Sequence, residues 1–231
     1  MGDKMDIKKM KLLTILGFIG GLLFAIGDWC IYFLPGYHDQ NTIYGTWESM
    51  QMWRGVATLY LGCIGSVLLV FAFQSVYQIV KQNCSVYMRG LAAVVLAGIC
   101  LTSIGHFMIA GIMPMTYKLG IAAGASQEMA GAIAKSWSTY IGILKIFIMV
   151  VVILLQSILM ITLIVRGVLK CPKWMVVCNP LVMTILYIPV VILLSGTGFE
   201  GIAEAFESLG EGLVYVAVYA HLKRTSQENE N

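Results

Sequence analysis

The 231 residues are 59% hydrophobic and 12% charged, with a mean hydropathy of +0.84. Soluble chains carry about 25% charged residues, so a soluble domain is excluded. The net charge of +3 includes no basic cluster on a soluble element of any size, and nothing in it suggests a nucleic-acid partner.

The apolar residues fall in runs long enough to cross ~30 Å of hydrocarbon as helices. An all-α polytopic membrane protein is expected, with the lipid bilayer as its first partner. Lys4, Lys8, Lys9 and Lys11 precede a first span over residues 12–34, and their charge marks the cytoplasmic end. Ala25-Ile26-Gly27 imitates a signal-peptide cleavage sequence, but the apolar run continues past it. Gly17 and Gly21 give this span a close-packing face.

A polar, turn-rich segment over 35–51 holds His38, Asp39 and Glu48. The second span covers 52–80 and starts beside Arg54. Lys81, Gln82, Asn83 and Arg89 separate it from a third span over 90–113, closed by Pro114. Residues 119–138 are rich in Ala and Gly and too polar to span, which suits a lid, a re-entrant segment or a surface helix. The fourth span runs over 140–165 and leaves the membrane at Arg166, Lys170 and Lys173. The fifth, 175–194, opens with Asn179-Pro180 and should bend near Pro189. The sixth covers 199–221, followed by Lys223, Arg224 and a polar tail, 225–231, expected to be disordered.

Charge placement fixes the expected topology. Arg54, Lys118, Lys135 and Lys145 fall in the outer half, while the other 11 of 15 Lys and Arg lie on the N-terminal side of the membrane. Six spans with both termini cytoplasmic give this positive-inside pattern, and five would put Lys223 and Arg224 outside. Trp29, Tyr44, Trp47, Trp53, Trp137 and Tyr140 gather at the outer interface. The expectation is a single transmembrane domain, 1–224, in a cell membrane of the bacterial cytoplasmic kind. Cys30, Cys63, Cys84, Cys100, Cys171 and Cys178 show no CxxC or Cys/His spacing, so they read as reduced thiols without a disulfide framework or zinc.

The sixth span is unusual. Glu200, Glu204, Glu207 and Glu211 are spaced four, three and four apart, which puts them on one helix face. Gly201, Ala205, Ser208 and Gly212 repeat that spacing beside them and make a small-residue face, a route to close helix packing or a homo-oligomer. Carboxylates in hydrocarbon need partners, protons or water.

Depth arithmetic at 1.5 Å per residue places other ionisable groups nearby. Asp28 lies roughly 9 Å below the outer end of its span, His106 roughly 10 Å, Lys145 roughly 8 Å and Glu207 roughly 9 Å. Glu204 lies above Glu207, Glu211 near the midplane, and Arg54 at the top. The candidate ligand- or proton-binding set is therefore Asp28, Arg54, His106, Lys145, Glu204, Glu207 and Glu211, with no metal and no cofactor. Four acids against Arg54, Lys145 and at most His106 leave a surplus, so at least one acid should be protonated or paired with a bound cation. Plainer roles exist: Lys145 snorkelling outward, His106 as a packing residue, Arg54 as an interfacial anchor, and Glu200 as a solvated loop residue. A sixth segment lying on the outer surface would turn the whole stripe into a solvated face.

Gly27-Asp28-Trp29, Gly105-His106, Pro172-Lys173-Trp174 and Asn179-Pro180 resemble an uncharacterised family of bacterial six-helix membrane proteins, a domain of unknown function. The resemblance implies size and topology and no activity. From the residues, the expected function is binding or transport of a small cationic or amphipathic molecule, or of protons, at an outward-facing acidic site. An outer-leaflet lipid-modifying enzyme using His106 with Asp28 or Glu207, and an accessory membrane subunit, are the alternatives. No hydrolase, metalloprotease, phosphate-loop or dinucleotide motif is present.

Overall fold

The computed structural model describes residues 6–34 and 47–228, and every regular element among them is helical. Lys4, His38, Asp39, Tyr44 and the last residues of the tail, 229–231, lie outside the described residues.

Helix α1, Ile7–Tyr32, begins where the Asp6 carboxylate accepts from the Lys9 N–H at 3.1 Å, an N-cap that satisfies an otherwise unpaired donor. Helix α2 spans Met52–Asn83. Helix α3, Val86–His106, continues through a π turn, Phe107–Ile112, into α4, Met113–Ala122. After a turn at Gly124, whose φ of 88° suits glycine, Ser126 caps α5, Gln127–Ile148. A second π segment, Met149–Leu155, joins α5 to α6, Gln156–Val165. A 3₁₀ turn, Lys173–Val177, precedes α7, Pro180–Leu194, which Asn179 caps by accepting from the Val182 N–H. Another 3₁₀ turn, Glu200–Ala205, leads into α8, Phe206–Glu228.

Contacts fix the directions. Met10 meets Ser75 at one end of the α1–α2 pair, and Gly27 meets Thr58 at the other, so the two run antiparallel. Gly17 abuts Tyr215, Gly21 abuts Gly212 and Asp28 meets Ser208, which makes α8 antiparallel to α1. Gly98 touches Val151 and Gly105 touches Ile148, so the helix containing α5 returns along α3. Pro180 lies against Gly210 and Tyr187 reaches Glu204, setting α7 against α8. The small-residue faces of α1 and α8 are thus spent on each other within one chain, where Gly allows backbones to touch.

Four helical stretches are long and apolar enough to cross a membrane: Ile7–Tyr32, Met52–Asn83, Val86–His106 and Gln127–Val165. The 15 residues of α7 reach about 22 Å, short of ~30 Å of hydrocarbon. The 39 residues of Gln127–Val165 reach about 58 Å, well beyond it.

Several sequence expectations change. Pro114 does not close the third helix. It sits in the first turn of α4, directly after the π turn, where the ladder of backbone bonds is already interrupted and a missing N–H costs little. Residues 119–138 are not one surface segment: 119–122 finish α4, and 127–138 are the first turns of α5. With Trp47 and Met50, this α4–α5 hairpin builds a second core from Ile31, Tyr117, Ala130 and Ala134. Trp47 is therefore buried inside that cap, while Trp53 and Tyr140 are exposed as interfacial aromatics would be.

The start of the tail is ordered as well. Residues 225–228 continue α8, with the Glu228 carboxylate paired to the Lys170 ammonium and 3.6 Å from Arg224. The hydrogen bond from Lys170 holds the Glu228 carboxyl below the usual carboxylate range. Lys170 also donates its backbone N–H to His221 Nδ1 at 3.0 Å, and Lys173 Nζ caps α6 through the carbonyls of Ile164 and Val165 at 2.9 and 2.7 Å. The main core lies between these ends, around Leu69, Phe73, Leu159, Leu163 and Val214. Within it the buried Tyr215 hydroxyl donates to the Leu69 carbonyl at 2.9 Å.

Candidate functional site

The C-terminal third of α1 binds three different elements through three consecutive residues. The Gly27 carbonyl accepts from Thr58 Oγ1 of α2 at 2.5 Å, and Asp28 Oδ2 accepts from Ser208 Oγ of α8 at 2.5 Å. Trp29 Nε1 donates to the Ile202 carbonyl of the 3₁₀ turn at 2.9 Å. Asp28 is thereby fixed at a junction, with its second oxygen, Oδ1, 3.7 Å from His106 Nδ1. His106 ends α3, its ring tilted over Phe24 at 4.2 Å between centroids. It is seated against Gly62 of α2, where a Cβ would lie 1.9 Å from its Cδ2. His106 Nε2, turned toward α2, makes no hydrogen bond of ordinary geometry.

Of these residues, Phe24, Asp28, His106 and Ser208 line a cavity of about 250 Å³. Its acidic wall is Asp28, Glu204 and Glu207, its basic members are His106 and Lys145, and Phe24 and Tyr32 supply aromatic surface. A neighbouring cavity of about 190 Å³ lies between α7 and α8, lined by Thr184, Tyr187 and Ala203. Glu204 and Glu207 line both, so the two carboxylates form the partition. Glu204 is steadied there by the Tyr187 hydroxyl, which donates to it at 2.8 Å. If the three acids of the main cavity are ionised, Lys145 offsets one of them. The cavity then favours a positively charged occupant.

Five of the seven candidate residues thus come together, and two do not. Arg54 reaches the end of α1 and not the cavity: it donates to the carbonyls of Cys30 at 2.6 Å, Trp29 at 3.0 Å and Phe33 at 2.5 Å. It caps the C-terminus of α1, where the Trp29 carbonyl also accepts from the Phe33 N–H. Arg54→Leu is expected to cost about 2 kcal/mol of stability in mixed-micelle unfolding, and Arg54→Lys should recover only part, because an ammonium lacks the planar fork. Glu211 lies deeper, outside both cavities, and accepts from Gln156 Nε2 at 2.9 Å.

Glu200, expected in a solvated loop, is buried. Its carboxylate accepts from the Gly196 N–H at 2.5 Å and so closes the turn that carries Gly196 and Gly198, both at φ 76°. The glutamate stripe is not a fully solvated face either: Glu211 is buried with Glu200, while Glu204 and Glu207 are half-buried and line the cavity.

Sequence reading missed Gly62, Gln156, Ser208's bond to Asp28, and the two π segments. His106 is the residue before the first π segment, Met149 opens the second and lines the cavity, and Gln156 follows it. Such local widening of a helix often accompanies functional sites. Among the described residues no group of three or more His, Cys, Asp or Glu side chains is arranged for a metal ion. All six cysteines are free thiols.

Comparison with curated proteins and with solved structures gave no match. A family model matches residues 5–225, nearly the whole chain, and on that match the chain belongs to the family of unknown function DUF6796.

Proposed function

We propose that this chain is a six-crossing membrane protein, one transmembrane unit over residues 1–224 with both termini cytoplasmic. Its outward-facing cavity binds or passes a small organic or amphipathic cation. The crossings are α1, α2, α3 with α4, α5 with α6, α7, and α8. The positive-inside pattern supports this orientation. So does the gathering of Lys170, Lys173, Arg224 and the start of α1 at one end. The short α7 is completed by the turns flanking it, and α8 crosses as a helix sheltered by α1 and α7. A cell membrane is the expected location.

The observation that carries the ligand class is the pairing of Asp28, Glu204 and Glu207 with Phe24 and Tyr32 around one cavity of about 250 Å³. Carboxylates beside aromatic faces suit a cation held partly by its charge and partly by the ring quadrupole. Calorimetric titration of the purified protein with choline and with its uncharged isostere 3,3-dimethylbutanol tests this. Saturable choline binding, at least about tenfold tighter than the isostere, is expected, with loss in Asp28→Asn and Glu207→Gln. Equal binding of the two would refute a cation site.

His106 beside Asp28 at 3.7 Å favours, as a second reading, acid–base chemistry on an outer-leaflet lipid. A lipid profile unchanged between cells with and without the protein would remove it.

A further inference from the structure

Below the cavity, α6 and α8 meet through one polar contact that does not close its own accounting. Gln156 is fully buried and Glu211 is 3% exposed, and neither lines either of the two cavities described above. Gln156 Nε2 donates to Glu211 Oε2 at 2.9 Å, yet Gln156 Oε1 and Glu211 Oε1 have no hydrogen-bond partner. Two acceptors left over beside one hydrogen bond need a donor between them. The neighbouring hydroxyls do not supply it. Tyr215 Oη is committed to the Leu69 carbonyl, and Ser208 Oγ to Asp28. Apart from Tyr215, the ionisable group one turn away along α8 is Glu207, itself an acid. On the opposing helix, Lys145 is 11 residues before Gln156, about 16 Å along the axis. No basic residue is hydrogen-bonded or ion-paired to Glu211 among the described residues.

We propose that Glu211 and Gln156 form a one-proton site: Glu211 carries a proton on Oε1 that it donates to Gln156 Oε1, closing a reciprocal acid–amide ring. A single hydrogen then satisfies both leftover acceptors. The same conclusion follows with the amide turned over, because either orientation leaves two oxygens facing each other unless Glu211 is protonated. An ionised Glu211 would instead be a buried charge with one neutral donor, an arrangement proteins avoid. The π segment Met149–Leu155 brings Gln156 to this position, since the Gln156 N–H bonds to the Val151 carbonyl five residues back. The site goes beyond the cation reading and does not depend on what the cavity binds.

Infrared spectroscopy of the full-length protein in detergent at neutral pH tests it. The C=O stretch of a protonated carboxylic acid is resolved from that of a carboxylate and moves on deuteration. A protonated-acid band is expected in the wild type and its loss in Glu211→Gln, whose amide can keep both hydrogen bonds and hold the fold. Should that variant fail to fold, Gln156→Leu is expected to shift the same band toward the frequency of an unbonded acid. The proposal is overturned by a wild type without the band, by a band of equal intensity in Glu211→Gln, or by one unmoved in Gln156→Leu. A band that vanishes when sodium or potassium is added would also overturn it, since the oxygens would then hold a metal cation.

Discussion

Gly21→Ala is expected to be among the most damaging small substitutions in the molecule, costing at or above the ~3 kcal/mol upper range of ordinary overpacking. A Cβ at this position would lie 2.3 Å from Gly212 Cα and 2.4 Å from Gly212 N. The obstacle is backbone, which cannot rotate aside as a side chain can. Helices α1 and α8 would have to separate, and the separation would pull Asp28 from Ser208, seven residues up α1 from the contact. The reverse substitution, Gly212→Ala, should be milder, because its Cβ would lie 3.2 Å from Gly21 Cα and from the Phe18 carbonyl. Gly90→Ala and Gly142→Ala are the controls. Both glycines are helical and a Cβ on either meets nothing within 4 Å. Relief of glycine's conformational freedom should leave those variants unchanged or up to about 1 kcal/mol more stable. Unfolding in mixed micelles ranks the four. A Gly21→Ala protein as stable as the controls would mean that α1 and α8 do not pack at this distance.

That contact also shows what a sequence reading can and cannot resolve. The small faces at Gly17 and Gly21, and at Gly201, Ala205, Ser208 and Gly212, were legible because helical periodicity is local. Which face meets which is a tertiary fact, and it turned out to be intramolecular. The grouping of Asp28, His106, Lys145, Glu204 and Glu207 was legible because 1.5 Å per residue turns position in a helix into depth. Arg54 passes the same depth arithmetic and yet serves the carbonyls of Cys30, Trp29 and Phe33, because arithmetic along an axis carries no azimuth. Proline and polarity misled in a consistent way. Pro114 and the Ala-rich residues after it looked like an end and a lid. A π turn accommodates the first, and a second core around Trp47 and Tyr117 orders the rest. Gln156 was invisible for a different reason. An uncharged side chain in an apolar run gives no signal until its partner, Glu211, is placed opposite it.

Gly62→Ala tests whether the His106–Asp28 pair is a working part of the cavity. The added methyl would lie 1.9 Å from His106 Cδ2 and 2.2 Å from Nε2, closer than any real contact. Here the obstacle is a side chain, so the ring can move. It is held by α2 on one side and by Phe24 on another, which leaves the cavity as its way out. The expected cost is about 1–3 kcal/mol, with His106 displaced from Asp28 and less room for a ligand. Removing the ring should remove the clash: the Gly62→Ala/His106→Ala double variant is expected to lose less stability than the two single losses added together. A coupling of at least about 1 kcal/mol would be the signature of direct contact. Choline titration of the same variants separates seat from site. If binding falls in Gly62→Ala and returns in the double variant, the imidazole was obstructing a cavity whose affinity resides in the carboxylates. If it falls in both, His106 itself holds the ligand or orients Asp28 toward it. Additive stability losses would show that His106 does not rest on Gly62, and the placement of the pair at the cavity wall would fall with it.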